Sequence, residues 1–208
     1  MWPWEHAVVG YLVYSLCCRL VYRESPTGLE ALVVGIASVL PDVVDKPLAW
    51  EFGVFDGGYA LAHSVFVAVP LTAAVGVVAR SRGRPRAGIA FGIGYLLHPP
   101  ADVLYNYVSE GQAYPELMLW PVATVDAAAA SPGFADEFAR LFGRYQRQVL
   151  AGELSAYMRV QLALAVGTVL LWLVDGAPVL RECLRGSKRL LAAIAGRDGS
   201  DPPTGNQR

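Results

Sequence analysis

The chain has 208 residues, of which 54% are hydrophobic and 17% are charged, and its formal net charge is −1. The charged share is well below the roughly 25% that is typical of soluble domains, and the mean hydropathy is +0.38. These values argue against an ordinary soluble domain and favour an integral membrane protein, and the near-neutral charge gives no support for a nucleic-acid partner.

Five apolar segments are predicted to be membrane-spanning helices, because a span needs about 20 residues, within a range of roughly 17–25. In chain order they cover residues 7–22, 27–44, 59–79, 87–105 and 158–180. The connection 106–157 holds a sixth predicted helix, at 134–149, with apolar residues on one face and charged residues on the other. Such an amphipathic helix would lie in the headgroup layer or fold over a site as a lid. The predicted fold is therefore an all-α polytopic membrane bundle.

The orientation of this bundle follows from its arginines, since basic residues favour the cytoplasmic side of a membrane. Four arginines lie within residues 80–86, between the third and fourth segments. Arg19 and Arg23 end the first segment, and residues 181–189 carry a further basic cluster. These positions predict an N-terminus outside the cell membrane and a cytoplasmic C-terminus.

The same pattern predicts how the chain divides. Residues 1–180 form one transmembrane domain, with the candidate site motifs in 1–122 and an outer loop at 106–157. Residues 181–208 form a basic cytoplasmic tail that is expected to be partly disordered from Gly196 onward.

Six residues with metal-binding side chains fall at the outer edge of these spans. They are the three histidines of the chain and three aspartates: His6, His63, His98, Asp42, Asp45 and Asp102. They come from four different segments, and the orientation was assigned from arginines alone. Nitrogen and carboxylate ligands at one membrane depth indicate a metal site.

Taken singly, most of these residues have a structural explanation. His6 opens the first segment, where a histidine is commonly a helix cap, and Asp42 follows a proline as turn residues do. Asp45 beside Lys46 would form an interfacial ion pair. His63, predicted about one turn inside the third segment, has no charged neighbour in sequence. An ionisable residue there costs roughly 2.5–3.5 kcal/mol on insertion scales, so it is expected to face a partner or a cavity.

His98 and Asp102 form the strongest pair, because residues at i and i+4 share one face of a helix and can bind one metal. Pro99 and Pro100 follow His98 directly and predict a break in the helix, with a restart at Pro99. Such a break is tolerated in a membrane where it lines a cavity, so it is expected to line the site.

These motifs, in this order, resemble the YdjM-like group of membrane-bound proteins, which their motifs class as metal-dependent hydrolases. The group shows an early His, then Leu-Pro-Asp-x-Asp, His-Ser, His-x-x-x-Asp and Trp-Pro. The matching residues are His6, Leu40-Pro41-Asp42, His63-Ser64, His98 with Asp102, and Trp120-Pro121. The resemblance covers roughly residues 1–122. The second Asp is displaced to Asp45, and Gly57-Gly58-Tyr59 replaces the group's His-Arg-Gly, so one usual ligand is absent.

The expected function is a metal-dependent hydrolase at the extracytoplasmic interface. His63, His98 and Asp102 would bind the metal with Asp42, and His6 and Asp45 would be ligands or supporting groups. Histidine with carboxylate suits Zn²⁺ or Mn²⁺. Asp45 or Asp42 would accept the proton of the attacking water. Membrane lipids are the expected partners, with a lipid ester or phosphodiester as substrate.

Two other interpretations remain open at this point. The residues could form a structural metal clip or polar contacts between helices, or handle metal ions or protons without catalysis. The chain could also be a soluble helical protein with a very apolar core.

Overall fold

Seven α-helices make up the regular structure, which confirms the predicted all-α class. The computed structural model describes residues 1–125 and 133–195, with side chains as far as Lys188, and in this part of the chain there are no strands. The helices are α1 (Pro3–Cys17), α2 (Gly28–Trp50), α3 (Val65–Ser81), α4 (Pro85–Glu110), α5 (Phe134–Leu150), α6 (Ala156–Val174) and α7 (Leu180–Ala195). A π-helical turn, Cys18–Tyr22, extends α1.

Hydroxyl side chains begin three of the helices. The Thr27 hydroxyl accepts a hydrogen bond from the backbone N–H of Glu30, whose carboxylate accepts one from the Thr27 N–H, at 3.3 and 3.1 Å. Ser64 and Ser155 accept from backbone N–H groups at the starts of α3 and α6. These caps satisfy backbone donors that have no partner within the helix, so the helix starts are fixed by local sequence.

Helix α4 lies at the centre of the bundle and packs against α1, α2 and α3. Its closest approach is to α2, where a Cβ atom at Gly94 would lie 2.6 Å from the carbonyl oxygen of Val34. Only a glycine fits there, because the obstacle is the backbone of the neighbouring helix. Tyr14, Val34 and Tyr95 fill the adjoining core. This contact fixes the distance between the two helices that carry most of the candidate ligands.

We expect Gly94→Ala to destabilise the fold by about 1–3 kcal/mol, the usual cost of forcing a methyl group into a packed interface. Gly92→Ala is the matched control, since a Cβ at Gly92 meets nothing within 4 Å. In that open position alanine should be neutral, or stabilise the helix by up to about 1 kcal/mol. Thermal unfolding followed by circular dichroism measures both, and equal stability of the two variants would contradict this close packing.

The bundle is apolar outside and polar within. Large apolar side chains are exposed, among them Leu20 at 80% and Val174 at 71%, whereas Glu5, His6 and Asp45 are buried. Among the described helices, α6 is long and apolar enough to cross a membrane, with a window of mean hydropathy 1.7 that is only 17% buried. Helix α3 is apolar but shorter. The five predicted spans are therefore not all recovered by length and hydropathy, because α1 and α3 are short and α2 and α4 carry the polar residues of the interior.

Basic and acidic side chains tie the helices together at one end of the bundle. Asp175 accepts hydrogen bonds from Tyr11 at 2.7 Å and Ser15 at 2.6 Å, and it pairs with Arg19. Arg86 pairs with Glu30 at 3.1 Å. The segments that were assigned to the cytoplasmic side by their arginines therefore meet in space.

The structure differs from the sequence prediction at two positions beside the candidate site. Helix α3 begins at Val65, so His63 lies in the preceding loop and not one turn inside a helix from Tyr59. Helix α4 continues through Pro99 and Pro100 without the predicted break. Each proline lacks a backbone N–H group, so one hydrogen bond of the helix is lost. Neighbouring helices can compensate for that loss, and the helix then continues past the proline.

Two peripheral predictions have different outcomes. The amphipathic helix predicted at 134–149 is present as α5. Its aromatic face packs against the start of α1, where Phe142 and Tyr145 contact Trp2 and Trp4. The predicted tail begins as α7, and the part expected to be disordered, from Gly196, lies outside the described residues.

Candidate metal centre

Asp45 holds His63 in place from the end of α2. Its carboxylate accepts hydrogen bonds from the backbone N–H groups of Ala60, Ala62 and His63, at 2.9–3.0 Å. It also accepts one from the His63 ring nitrogen Nδ1, at 2.8 Å. Four donors converge on one buried side chain, and this explains why the loop before α3 is not helical. The sequence predicted a helix at His63 because the long-range contact between Asp45 and His63 cannot be seen in the local sequence.

His98 is oriented by the backbone of α2. Its Nδ1 lies 2.6 Å from the carbonyl oxygen of Ser38. Because α4 is unbroken at Pro99 and Pro100, His98 and Asp102 keep the i, i+4 spacing, with Nε2 3.5 Å from Asp102 Oδ2. The two residues therefore point to the same place, as the sequence predicted.

The hydrogen bonds of the two histidines determine where their protons lie. A carbonyl oxygen can only accept, so the Nδ1 of His98 carries the proton that it donates to Ser38. Asp45 likewise takes the Nδ1 proton of His63. In the neutral imidazoles both Nε2 atoms then present lone pairs, and these two atoms face each other at 3.1 Å. Two facing lone pairs repel, and either a shared proton or a metal ion between them removes that repulsion.

Two carboxylates complete this group. The Oδ1 atom of Asp42 is 3.5 Å from the Nε2 atoms of both His63 and His98. The Oδ2 atom of Asp102 is 3.6 Å from His63 Nε2 and 3.5 Å from His98 Nε2. The Oδ2 atoms of Asp42 and Asp102 are buried without a hydrogen-bond donor among the described residues, whereas the Oδ1 atom of Asp42 pairs with Lys46. Buried charges are normally paired or coordinate a metal, so the donor set fits a cation.

The spacing of the four atoms fits a divalent ion in tetrahedral coordination. In a tetrahedral site with ligand distances near 2.0–2.1 Å, the ligand atoms lie about 3.3–3.4 Å apart. Here the distances that involve a histidine nitrogen run from 3.1 to 3.6 Å. All four residues offer atoms within 4.8 Å of one another, and all four are buried. We refer to Asp42, His63, His98 and Asp102 as the four-residue cluster.

His6 lies next to the cluster but outside it. Its ring stacks on that of His98, with centroids 3.6 Å apart, and its Nε2 is 3.3 Å from Asp102 Oδ1. The α-amine of Met1 contacts the same oxygen at 2.6 Å. The Nδ1 atom of His6 is buried without a hydrogen-bond partner among the described residues. The structure thus brings all six candidate residues together, four of them around one point.

Two charged residues beside the cluster make contacts that sequence reasoning did not predict. Lys46 pairs with Asp42, at 2.6 Å, and not with Asp45 as expected. The i, i+4 spacing of Asp42 and Lys46 on α2 was the available signal. Glu5 precedes His6 and is buried, and its Oε2 accepts a hydrogen bond from the Tyr157 hydroxyl at 2.5 Å. Nothing near Glu5 in the sequence indicated this contact.

The His-Ser motif and the Trp-Pro motif are also in contact. The Ser64 hydroxyl donates to the carbonyl oxygen of Trp120 at 2.5 Å. Ser64 therefore both caps α3 and fastens the segment after α4 beside His63. The residues that carried the motif resemblance are thus neighbours in space.

The comparisons with known proteins agree with these observations. The family described as YdjM inner membrane protein matches residues 1–178, which include α1 to α6 and the whole cluster. No curated protein and no solved structure matches the chain. The match confirms the resemblance drawn from the motifs and the assignment to a membrane, which the apolar exterior of the bundle also supports. By this match, the chain belongs to the YdjM inner membrane protein family.

Proposed function

We propose that this chain is a metal-dependent hydrolase embedded in the cell membrane, with its site at the extracytoplasmic interface and a lipid ester or phosphodiester as its substrate. The observation that carries the proposal is the pair of imidazole Nε2 atoms, of His63 and His98, that face each other at 3.1 Å between two carboxylates. A site of this composition is suited to Zn²⁺ or Mn²⁺.

The proposed topology has five spans, α1 to α4 and α6, with the N-terminus outside and the C-terminus in the cytoplasm. It is supported by the separation of the two ends of the bundle. Arg19, Arg86 and Asp175 lie in the networks of one end, whereas the cluster lies toward the opposite ends of α2 and α4. Residues 1–180 would form the membrane domain and 181–208 the cytoplasmic tail.

Each residue of the site has a proposed role. His63, His98, Asp102 and Asp42 would hold the metal, and His6 would assist as a further ligand or by packing on His98. Asp45 is better suited to positioning than to proton transfer, because its oxygens already accept hydrogen bonds from Ala62 and His63. Asp42 is the better proton acceptor, since its Oδ2 has no donor among the described residues.

A divalent cation in the cluster would supply Lewis-acid chemistry, by acidifying a water molecule and polarising the scissile bond. The protein's own part is to fix the two imidazoles by their Nδ1 atoms and to keep the site buried. Lys46 would balance the charge of Asp42. Because the two imidazoles are already held in place, they lose little conformational entropy when the reaction takes place.

Lipid turnover tests the proposal. Purified protein incubated with a membrane lipid extract should form a hydrolysis product, detected by mass spectrometry of the lipids. Chelation should remove this activity, since the cluster then lacks its cation, and added Zn²⁺ or Mn²⁺ should restore it. Asp42→Asn should be inactive with metal present. Equal product with and without the chelator would refute the proposal.

A structural metal clip is the second candidate, and one observation favours it. Structural zinc sites are closed by four protein ligands, whereas catalytic sites keep one position open, and the cluster offers four. A clip predicts that chelation lowers the thermal stability of the protein while no lipid is turned over. The enzyme predicts turnover that stops on chelation, so one set of samples distinguishes the two.

A further inference from the structure

Two cavities meet beside the four-residue cluster, and they differ in chemistry. The first, here the chain groove, has a volume of about 330 Å³ and lies between α1, α4 and α6. Its walls are mainly apolar, and the aliphatic side chains among them include Val8, Val9, Leu104, Val160, Leu164 and Ala165. It is partly open to the exterior of the bundle, where the surrounding side chains are also apolar. In a membrane protein, such a groove is in contact with lipid chains.

The second cavity, here the head cavity, has a volume of about 430 Å³ and lies beneath α5. Polar side chains from α4, α5 and the turn before α6 line much of it: Ser109, Arg144, Gln148 and Ser155. Both volumes fall within the roughly 300–1,000 Å³ of small-molecule sites. One cavity suits an apolar chain and the other suits a polar group.

The two cavities share part of their walls, so they are contiguous. Glu5, Tyr105 and Tyr157 line both of them. Glu5 precedes His6 in the chain, and Ala101, which lines the chain groove, precedes Asp102. Met1 also lines the chain groove, and its α-amine contacts Asp102 Oδ1 at 2.6 Å, so the chain groove reaches the edge of the metal centre.

Arg144 is a basic side chain that lines the head cavity, and the carboxylate of Glu5 lies where this cavity meets the chain groove. The neighbouring Glu137 is already engaged by Arg140, at 2.5 and 2.9 Å, and these hydrogen bonds hold the pKa of Glu137 below its usual range. In the described part of the chain, Arg144 is exposed and makes no hydrogen bond or close ion pair, although its charge also acts on Glu137. A guanidinium without a hydrogen-bond partner can bind a phosphate through two parallel hydrogen bonds.

We propose that the two cavities together bind one membrane phospholipid, with an acyl chain in the chain groove and the phosphate beside Arg144. The inference rests on the proposed function and deepens it, because it places the ester region of the lipid at the junction beside Glu5, next to the cluster. The occupant is a bilayer lipid and not a free amphiphile, since the groove opens among the lipid-facing sides of three helices.

Native mass spectrometry of the full chain tests this, with delipidated protein titrated with palmitoyl-oleoyl-phosphatidylglycerol. Ala165→Trp should fill the chain groove and lower the occupancy of the bound lipid at least about tenfold. The matched control is Ala163→Trp on the same helix, where Ala163 is exposed and lines neither cavity; its lipid occupancy should equal that of the wild type.

The head cavity is tested separately. Arg144→Ala should weaken binding of the phosphatidylglycerol about tenfold but leave binding of a diacylglycerol with the same chains unchanged. Arg147→Ala, on the same helix but outside the cavity, should change neither. An Ala165→Trp variant that binds lipid like the wild type would overturn the inference, as would an Ala163→Trp variant that loses lipid equally.

Metal analysis of the same samples separates the two proposals. His98→Ala should lose its metal and keep its lipid, because His98 lines neither cavity. If the protein with His98 intact carries no metal but its lipid binding depends on Ala165, the groove is supported and the hydrolase is refuted. Bound metal with no effect of Ala165→Trp would refute the groove alone.

Discussion

Replacing His98 with alanine is expected to reduce the metal content of the purified protein from about one divalent ion per chain to less than about a tenth. The variant removes one of the four converging atoms and the ring that is fixed by Ser38. Structural zinc sites bind their ion with a free energy of roughly 10–16 kcal/mol. If each of four ligands contributes about a quarter, the loss of one ligand lowers the metal affinity about a hundredfold to a thousandfold. Asp42→Asn, which is nearly the same size, should have a similar effect.

Elemental analysis after gentle purification measures this. Asp175→Asn is the control, because Asp175 is also buried but lies at the other end of the bundle. Its metal content should equal that of the wild type, even if its stability falls. A wild-type protein with less than a tenth of a metal per chain, unchanged in His98→Ala, would leave the site without a cation to bind.

The second large effect is expected at Asp45, which does not belong to the cluster. Asp45→Asn should lower the metal affinity about 10–100-fold, as the loss of a carboxylate behind a histidine ligand does elsewhere. The amide keeps the size of the side chain but gives up the negative charge that strengthens the hydrogen bond from His63. Asp45→Ala should be worse, because it leaves the backbone donors of Ala60 and Ala62 buried, at about 1–3 kcal/mol each.

Competition against a coloured chelator gives the metal affinity of each variant. Asp56→Asn is the matched control, since it is the same substitution at an exposed position of the same loop. It should bind metal as tightly as the wild type. If Asp45→Asn also bound metal as tightly as the wild type, the role of Asp45 would be structural only. The orientation of His63 toward the metal would then need another cause.

The sequence predicted the part of the site that depends on local spacing. His98 and Asp102 lie one turn apart on a helix, so their convergence is a local property. Asp42 and Asp45 were likewise placed on the second helix, although α2 continues to Trp50, beyond its predicted end at Val44. The arginines predicted which ends of the helices meet, and the contacts of Arg86 and Asp175 agree with them.

The features that the sequence did not predict depend on contacts between segments that are far apart in the chain. His63 was assigned to a helix because its neighbours are apolar, but Asp45 draws that backbone into a loop. Pro99 predicted a break that the packing of α4 against its neighbours overrides. Glu5 gave no signal at all, because its partner Tyr157 is 152 residues away. Each of these errors is a case in which tertiary contact outweighed local preference.

The lengths of α2 and α4 also determine which molecules can reach the metal centre. Beyond Asp42, α2 continues to Trp50, and beyond Asp102, α4 continues to Glu110. Eight residues in each case amount to about 12 Å at 1.5 Å per residue, so both helices rise well above the cluster. The four side chains of the cluster are buried, so the centre is not a patch on a surface, and a folded protein or a nucleic-acid duplex is too broad to reach it.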